Sequence, residues 1–232
     1  MKNKEEGGRP TSGNLTPKTP ALDFLCEELS AIQPTPEELQ EVFLAEHHAM
    51  PTTSNLAAWL LSERHTQLRI ERLCKQYNQF VSVFYLKQTT TAGEYVFFQH
   101  PPRANILFRK RKNGKSAGEV DLVMMVEGCP VIVETDLSQY NNSGRLNDIA
   151  EMLRPEKIEK KKRPMQQLFG KPPEIIYVIP SDYLGKIRIP ESNLHKFVQN
   201  GGHIVPFYTT REQWRRDAES MVAQQRLYAV AV

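Results

Sequence analysis

The sequence predicts an α/β fold in which helices flank a mixed central sheet, with a helical appendage at the N-terminus. Short runs rich in β-branched residues, Val120 to Val126 and Val131 to Val133, have the length of buried strands. Longer stretches with apolar residues at helical spacing lie before and after them, the longest running from about Asn55 to Tyr77. Helices on both sides of buried strands are typical of a layered α/β domain.

Length and composition limit the possible classes of protein. The chain has 232 residues, of which 40% are hydrophobic and 25% charged, enough for one good core and an appendage. Because the net charge is only +3, affinity for nucleic acid would have to come from local basic patches. The cysteines Cys26, Cys74 and Cys129 are widely spaced, which favours reduced thiols without structural zinc. Without a long apolar segment or a signal peptide, the chain is expected to be soluble and cytoplasmic, with no membrane contact.

The N-terminal part divides into a tail and a helical appendage. Residues 1–20 are polar and are expected to be disordered. Residues 21–50 contain one amphipathic helix over 21–32 and a second that begins with a capping box between Thr35 and Glu38. This appendage would pack either on the domain or on a partner. The α/β domain is expected to span residues 55–232.

A basic turn precedes the buried strands. Strand-like runs over 80–86, 95–98 and 104–108 lead into an Asn113-Gly114 pair that predicts a tight turn. Five cations surround this pair: Arg109, Lys110, Arg111, Lys112 and Lys115. They are either a solvated turn or a surface that grips a phosphodiester backbone.

The two buried runs flank the turn-forming segment 127–130 and predict a β-hairpin. Pairing Val126 with Val131 would place Asp121 opposite Asp136, with Glu134 one cross-strand step away on the same face. Like charges in such positions repel, so the acids need either water or a cation. Carboxylates at strand ends are hard oxygen ligands suited to Mg²⁺ or Mn²⁺. The alternative is ordinary solvated acids.

A second basic surface follows the hairpin. A helix that begins at Pro155 carries five cations: Lys157, Lys160, Lys161, Lys162 and Arg163. Pro164 is expected to kink or restart this helix. Beyond it the sequence predicts a strand over 175–179 that is buried on both faces, a helix over 191–199, a strand over 203–208 and a last helix over 210–225.

The order of these elements resembles that of the PD-(D/E)xK nuclease superfamily, which includes restriction-type endonucleases and Holliday-junction resolvases. The matching motifs are Gly118-Glu-Val-Asp121 and Val131-Ile-Val-Glu134-Thr-Asp136, within about residues 55–210. Glu71, on the preceding helix, is similar in placement to the helical Glu of many members. The resemblance implies a restriction-endonuclease-like core and metal-dependent cleavage of nucleic acid, with DNA as the expected substrate.

The resemblance also implies roles for individual residues. Asp121 and Glu134 would bind Mg²⁺ or Mn²⁺, joined by Asp136 and Glu71. The family's usual Lys, two residues after the Glu, is Asp136 in this chain. Some members of the superfamily carry an acid at this position and still cleave. In others a Lys from the following helix reaches in, and Lys157, Lys160 or Lys161 could do so here, with Lys160 and Lys161 as the expected catalytic residues.

The departure at Asp136 leaves a second hypothesis open. The chain would then be a catalytically degenerate nuclease fold that binds nucleic acid or a protein partner, with the N-terminal helices as a docking piece. Many members of the superfamily act as homodimers. A small metabolic enzyme is less favoured, because the sequence has no Gly-rich phosphate loop and no nucleophile elbow.

Overall fold

A computed structural model describes residues 20–32, 54–99, 104–111, 116–135, 153–179 and 191–206, with isolated positions elsewhere. The helices in these ranges are α1 (Pro20–Ala31), α2 (Ser54–Gln76), α3 (Pro155–Phe169) and α4 (Glu191–Gln199). Among the helices so described, none combines the length and the apolar character needed to cross a bilayer. The expected tail (1–20, apart from Pro20), most of the second helix of the appendage and the expected last helix over 210–225 lie almost wholly outside these ranges.

The strands form two sheets. Their bounds are β1 (Val81–Val83), β2 (Thr90–Ala92), β3 (Tyr95–Gln99), β4 (Ile106–Lys110), β5 (Ser116–Val120), β6 (Leu122–Val126), β7 (Cys129–Thr135), β8 (Glu174–Ile179) and β9 (Gly202–Pro206). A five-stranded sheet has the order β1-β6-β7-β8-β9. It is mixed, because β1, β6 and β7 pair antiparallel while β7, β8 and β9 pair parallel. A four-stranded antiparallel sheet has the order β2-β3-β4-β5. The mixed α/β class predicted from the sequence is therefore confirmed.

Each face of the five-stranded sheet has its own core. On one face, alternate residues of β6 and β7 such as Met124 and Val131 pack with the apolar sides of α1 and α2. On the other face, Val123 and Ile132 pack with α3, α4 and the four-stranded sheet. Strand β8 is buried along its whole length, as the run Ile175–Ile179 predicts, because it lies centrally and is covered on both faces.

The β6–β7 hairpin forms as predicted, but its register differs by two residues. Val126 pairs with Cys129, and Val131 pairs with Met124. The turn contains only Glu127 and Gly128, with φ values of 50° and 75°, which is the backbone of a two-residue turn with both central residues left-handed. A shift of two residues preserves the predicted faces but changes the partners, so the ladder extends to bring Asp121 opposite Glu134 rather than Asp136.

The chain changes sheet at Asp121. Val120 ends β5 in the four-stranded sheet, and Leu122 begins β6 in the five-stranded sheet. The run Val120 to Val126 was predicted as one strand. That prediction is wrong at Asp121, where one strand ends and the next begins. Its alternation of buried side chains did not reveal that Val120 joins a different core from Leu122.

Helix α3 is one continuous helix of 15 residues, so the predicted restart at Pro164 is wrong. Proline removes one backbone donor, which would otherwise bond to the carbonyl of Lys160. Lys160 lies on the exposed side of the helix, where water can satisfy that carbonyl. The helix ends at Gly170, which has a φ of 70° and donates its N–H to the carbonyl of Gln166.

Helix α1 packs on the domain, one of the two positions left open for the appendage. Its residues Leu22, Leu25 and Leu29 are buried in the core beneath α2. The fully buried Arg69 of α2 donates to the carbonyl of Leu29, and Tyr77 donates to Glu28 at 2.7 Å. Further along, the predicted capping box is present, since Thr35 N donates to Glu38 at 2.7 Å and Glu38 N donates to Thr35 at 3.3 Å.

Candidate active site

Asp121 and Glu134 meet at the open end of the β6–β7 hairpin. Asp121 is the residue between β5 and β6, and Glu134 is the penultimate residue of β7. Both side chains project toward the face of the sheet that α3 covers, because their positions continue the alternation of Val123 and Ile132. Two carboxylates are therefore held on rigid strands at the point where the two sheets join.

A backbone hydrogen bond fixes the Asp121 carboxylate. The N–H of Thr135 donates to Asp121 Oδ2 at 2.7 Å. This bond crosses from the start of β6 to the end of β7, so it closes the hairpin at the end opposite to its turn. The Asp121 side chain is half-buried, and its negative charge acts on Glu134.

Glu134 is the most deeply buried acid of the site. Its side chain is only 3% exposed. One carboxylate oxygen, Oε2, contacts the ammonium group of Lys161. The other, Oε1, has no hydrogen-bond partner among the described residues. A buried carboxylate oxygen without a partner is costly, so it indicates a position for a ligand.

Lys161 reaches Glu134 from α3. Its side chain is 25% exposed and lies on the side of the helix that faces the sheet, one turn after the buried Ile158. Its neighbour Lys160 is exposed and points elsewhere. Of the three lysines predicted as replacements for the missing motif Lys, Lys161 thus contacts Glu134, whereas Lys157 and Lys160 are exposed.

The electrostatics of the site are coupled. Burial, assisted by the negative charges of Asp121 and Glu119, raises the pKa of Glu134 to about 8 despite the opposing effect of Lys161. For Lys161, burial favours the neutral form, but Glu134 and Asp121 outweigh it and raise the lysine pKa above its ordinary value. Lys161 is therefore positively charged at neutral pH. Glu134 would be ionised more readily if a further cation approached its free oxygen.

The two acids form a donor set that fits a small divalent cation. Mg²⁺ commonly binds through one or two protein carboxylates and keeps several waters. Glu134 Oε1 is a buried oxygen to which no residue in the described ranges donates, and the charge of the nearby Asp121 acts on this carboxylate. Within the described ranges, however, no group of three or more His, Cys, Asp or Glu residues is arranged around a metal position. Among the described residues, the fit is therefore to a site with two protein carboxylates.

Two predicted acids are not part of this described pair. Glu71, on α2, accepts hydrogen bonds from Gln67 of the same helix at 2.8 Å and from Tyr85 at 3.4 Å. It is not among the charges that act on the pKa of Glu134. Asp136 lies outside the described residues, immediately after the end of β7.

The basic turn is described only in part. Arg109, Lys110 and Arg111 are exposed at the end of β4, whereas Lys112 and Lys115 lie outside the described residues. The guanidinium of Arg109 lies 5.9 Å from the centre of the Phe98 ring, a cation–π arrangement.

No pattern in the sequence pointed to Glu94, which links the basic turn to α3. Its carboxylate lies 2.8 Å from Arg163 and 4.0 Å from Lys110. Its backbone N–H donates to Gln167 at 2.9 Å. Glu94 lies in the tight turn between β2 and β3, and β2 is only three residues long and polar, which is why no strand was predicted there.

Comparisons with known proteins add little. No family model and no curated protein matches the chain. A crystal structure of protein VC1899 from Vibrio cholerae is similar, with a TM-score of 0.32 and 9% sequence identity. The similarity covers 88% of this chain and 50% of that one, so the chain spans about half the length of VC1899. At this level the similarity does not identify the fold family or the function.

Proposed function

We propose that this chain is a metal-dependent nuclease that hydrolyses phosphodiester bonds of nucleic acid, with DNA as the substrate. The observation that supports this most directly is the arrangement around Glu134. One of its oxygens contacts Lys161, and the other is buried beside Asp121 without a partner among the described residues. Two carboxylates in this relation can hold a divalent cation, and the ammonium group can stabilise the negative charge that develops during phosphodiester hydrolysis.

The order of elements supports a restriction-endonuclease-like interpretation of the fold. Helix α2 precedes the antiparallel strands β6 and β7, and α3 then connects β7 to the parallel strand β8. The acids lie at the start of β6 and at the end of β7, as the resemblance to PD-(D/E)xK nucleases implies.

Asp121 and Glu134 would hold Mg²⁺ or Mn²⁺. When bound, the ion would supply an activated water and offset the charge that develops on the phosphate. Asp121 contributes a carboxylate whose orientation is fixed by the N–H of Thr135. Glu134 contributes a carboxylate that is shielded from bulk water, so its interaction with a cation is only weakly screened.

Lys161 would take the role of the lysine that the motif lacks at Asp136. Its ammonium group is held at Glu134 by direct contact and is charged at neutral pH. From there it would orient the attacking water or stabilise the negative charge of the transition state. The basic residues Arg109, Lys110 and Arg111 would bind the backbone, which fixes the position of a substrate without reading its sequence.

Cleavage of labelled DNA tests the proposal. Single-stranded, duplex and branched DNA would be incubated with Mg²⁺ or Mn²⁺ and with the variants Asp121→Ala, Glu134→Gln and Lys161→Met. We expect metal-dependent cutting by the wild type and loss of cutting in all three variants. Glu127→Gln is the matched control, because this acid lies in the turn at the far end of the same hairpin. Cutting that survives both Asp121→Ala and Glu134→Gln would refute the proposed site.

A second candidate function is binding without catalysis. It is favoured by the contact between Lys161 and Glu134, since an ammonium group that already neutralises the acid can replace a metal ion. No third acid among the described residues is placed to hold a metal ion together with these two, and this also favours a binding module. A binding module would hold nucleic acid equally well in EDTA and in Mg²⁺, and Asp121→Ala would leave that affinity unchanged.

A further inference from the structure

Exposed cations continue from the candidate active site toward the basic turn. We call this surface the basic strip and define it by five residues of α3 and the end of β4: Lys157, Lys160, Arg163, Lys110 and Arg111. All five have exposed side chains. They were predicted as two separate basic surfaces, one in each segment, and the fold brings them to neighbouring positions.

The α3 part of the strip begins beside Glu134. Lys157 and Lys161 are four residues apart and Lys160 is three residues after Lys157, so the three lysines are neighbours on the helix surface. Lys161 turns inward to the buried acid, while Lys157 and Lys160 stay at the surface. The acidic residues Glu156 and Glu159 line an adjacent groove together with Lys162 and Pro172.

Glu94 joins the two parts of the strip. Its carboxylate bridges Arg163 of α3 and Lys110 of β4, at 2.8 Å and 4.0 Å. The turn that carries it is bound tightly to α3, because Glu94 N donates to Gln167 and a Cβ on Gly93 would lie 2.1 Å from the same Gln167 oxygen. The backbone of Glu94 is therefore fixed against α3, and from there its side chain reaches both cations.

We propose that the basic strip is the surface along which the phosphate backbone of DNA lies as it approaches Glu134, and that Glu94 restrains two of its cations until DNA displaces it. The identity of the ligand rests on the proposed function. Exposed cations at successive positions match the regular negative charge of a nucleic-acid backbone. An exposed ion pair in water is weak, so phosphate groups can replace Glu94 as the partner of Arg163 and Lys110.

The role of Glu94 makes the proposal sharply testable, because removal of an acid from its place between two cations should strengthen binding. Fluorescence anisotropy would measure the affinity of labelled duplex DNA in EDTA, where no cleavage occurs. We expect Glu94→Gln to bind about two- to fivefold more tightly than the wild type. Lys160→Glu and Arg163→Glu should each weaken binding about tenfold or more, with a shallower dependence on salt.

Two variants control for net charge. Glu127→Gln changes the charge as Glu94→Gln does, and Lys171→Glu changes it as Lys160→Glu does. Both sites are exposed at the β6–β7 turn, where Lys171 contacts the carbonyl of Gly128, about 20 Å from Asp121 along the hairpin. Equal effects of Glu94→Gln and Glu127→Gln, or of Lys160→Glu and Lys171→Glu, would overturn the proposal. Binding of RNA but not DNA would also overturn it.

Different results would refute the proposed nuclease activity and the proposed DNA-binding role of the basic strip. Cleavage needs a divalent cation, Asp121 and Glu134, whereas the anisotropy assay omits the metal and leaves those acids intact. DNA binding with the expected changes and no cleavage in Mg²⁺ or Mn²⁺ would support the basic strip and refute the nuclease. Metal-dependent cleavage by the wild type, together with unchanged DNA affinity in Arg163→Glu, would support the nuclease and refute the basic strip.

Discussion

Thr135 donates its backbone N–H to Asp121 Oδ2 at 2.7 Å, so the residue after one candidate ligand holds the other in place. The positions of the two acids are thus linked through the main chain of β7. A substitution at Asp121 is expected to affect both the stability of the hairpin end and any chemistry at Glu134.

Asp121→Asn and Asp121→Ala should separate these two effects. Asparagine keeps an oxygen that accepts the Thr135 N–H, whereas alanine leaves a buried donor without a partner, at a cost of about 1–3 kcal/mol. We expect Asp121→Ala to lower the free energy of unfolding by that amount and Asp121→Asn to lower it less. Both should abolish cleavage. Urea unfolding beside a cleavage assay checks this, and equal stability of the two variants would contradict the role of the hydrogen bond.

Lys161→Met should destabilise the protein more than removal of both partners does. At pH 9, above the pKa of about 8 at which Glu134 ionises, the single substitution leaves the buried carboxylate without its cation, which we expect to cost about 2–4 kcal/mol. The double variant Glu134→Gln, Lys161→Met has no charge to bury. A double-mutant cycle from urea unfolding should therefore give a coupling energy of about 1–3 kcal/mol. A coupling near zero would show that the contact contributes nothing to stability.

Divalent cations should stabilise the folded protein through Asp121 and Glu134. A ligand at one hundred times its dissociation constant adds about 2.7 kcal/mol to the free energy of unfolding. We expect the Tm to rise with Mg²⁺ or Mn²⁺ in the wild type and to stay constant in Asp121→Ala. An equal rise in both would place the bound cation elsewhere in the protein.

His65 should make the stability sensitive to acid. Burial, with the nearby charges of Arg69 and Arg72, lowers its pKa from 6.5 to about 3. Between these values the unfolded chain binds a proton that the folded protein does not, so stability falls as the pH drops below 6.5. The slope reaches about 1.4 kcal/mol per pH unit. Urea unfolding at pH 7, 6 and 5 should show that the free energy of unfolding depends less on pH in His65→Gln than in the wild type. An equal pH dependence in both proteins would show that His65 is not responsible for the acid sensitivity.

Gly202→Ala should disturb the contact between β9 and α4. A Cβ at this position would lie 2.3–2.5 Å from ring atoms of the fully buried Phe197. We expect a loss of about 1–3 kcal/mol in the free energy of unfolding, as in other overpacked cores. Phe197→Leu should partly rescue the variant by removing the ring. A loss in the double variant equal to the sum of the two single losses would refute the steric explanation.

The sequence predicted the acidic hairpin and the face on which each side chain lies. Side chains alternate between the two faces with a period of two, so a register error of two residues changes the cross-strand partners but not the faces. The register itself depended on the turn. Pro130 was placed in the turn because proline cannot donate to a ladder, yet it lies in β7 and pairs with Met125. Glu127 at a positive φ gave no local signal, since this conformation is uncommon for residues other than glycine.

Other parts of the site were beyond the reach of sequence patterns. Lys160 and Lys161 are equivalent in type and adjacent in sequence, so only the rotation of α3 against the sheet distinguishes them. The bridge through Glu94 joins residues about 70 positions apart, Glu94 and Arg163, and therefore depends on tertiary structure. By contrast, the capping box at Thr35 and the buried strand Glu174–Ile179 are local features, and both were predicted correctly.

The position of Asp121 between the sheets makes the Thr135 amide a natural reporter of the site. Its proton is protected only while the Asp121 carboxylate accepts it at the end of the β6–β7 hairpin. Hydrogen exchange at this amide would therefore measure how often the hairpin opens at that end. Slow exchange would mean that the two acids are in position before any substrate arrives, and rapid exchange would mean that the site is assembled transiently.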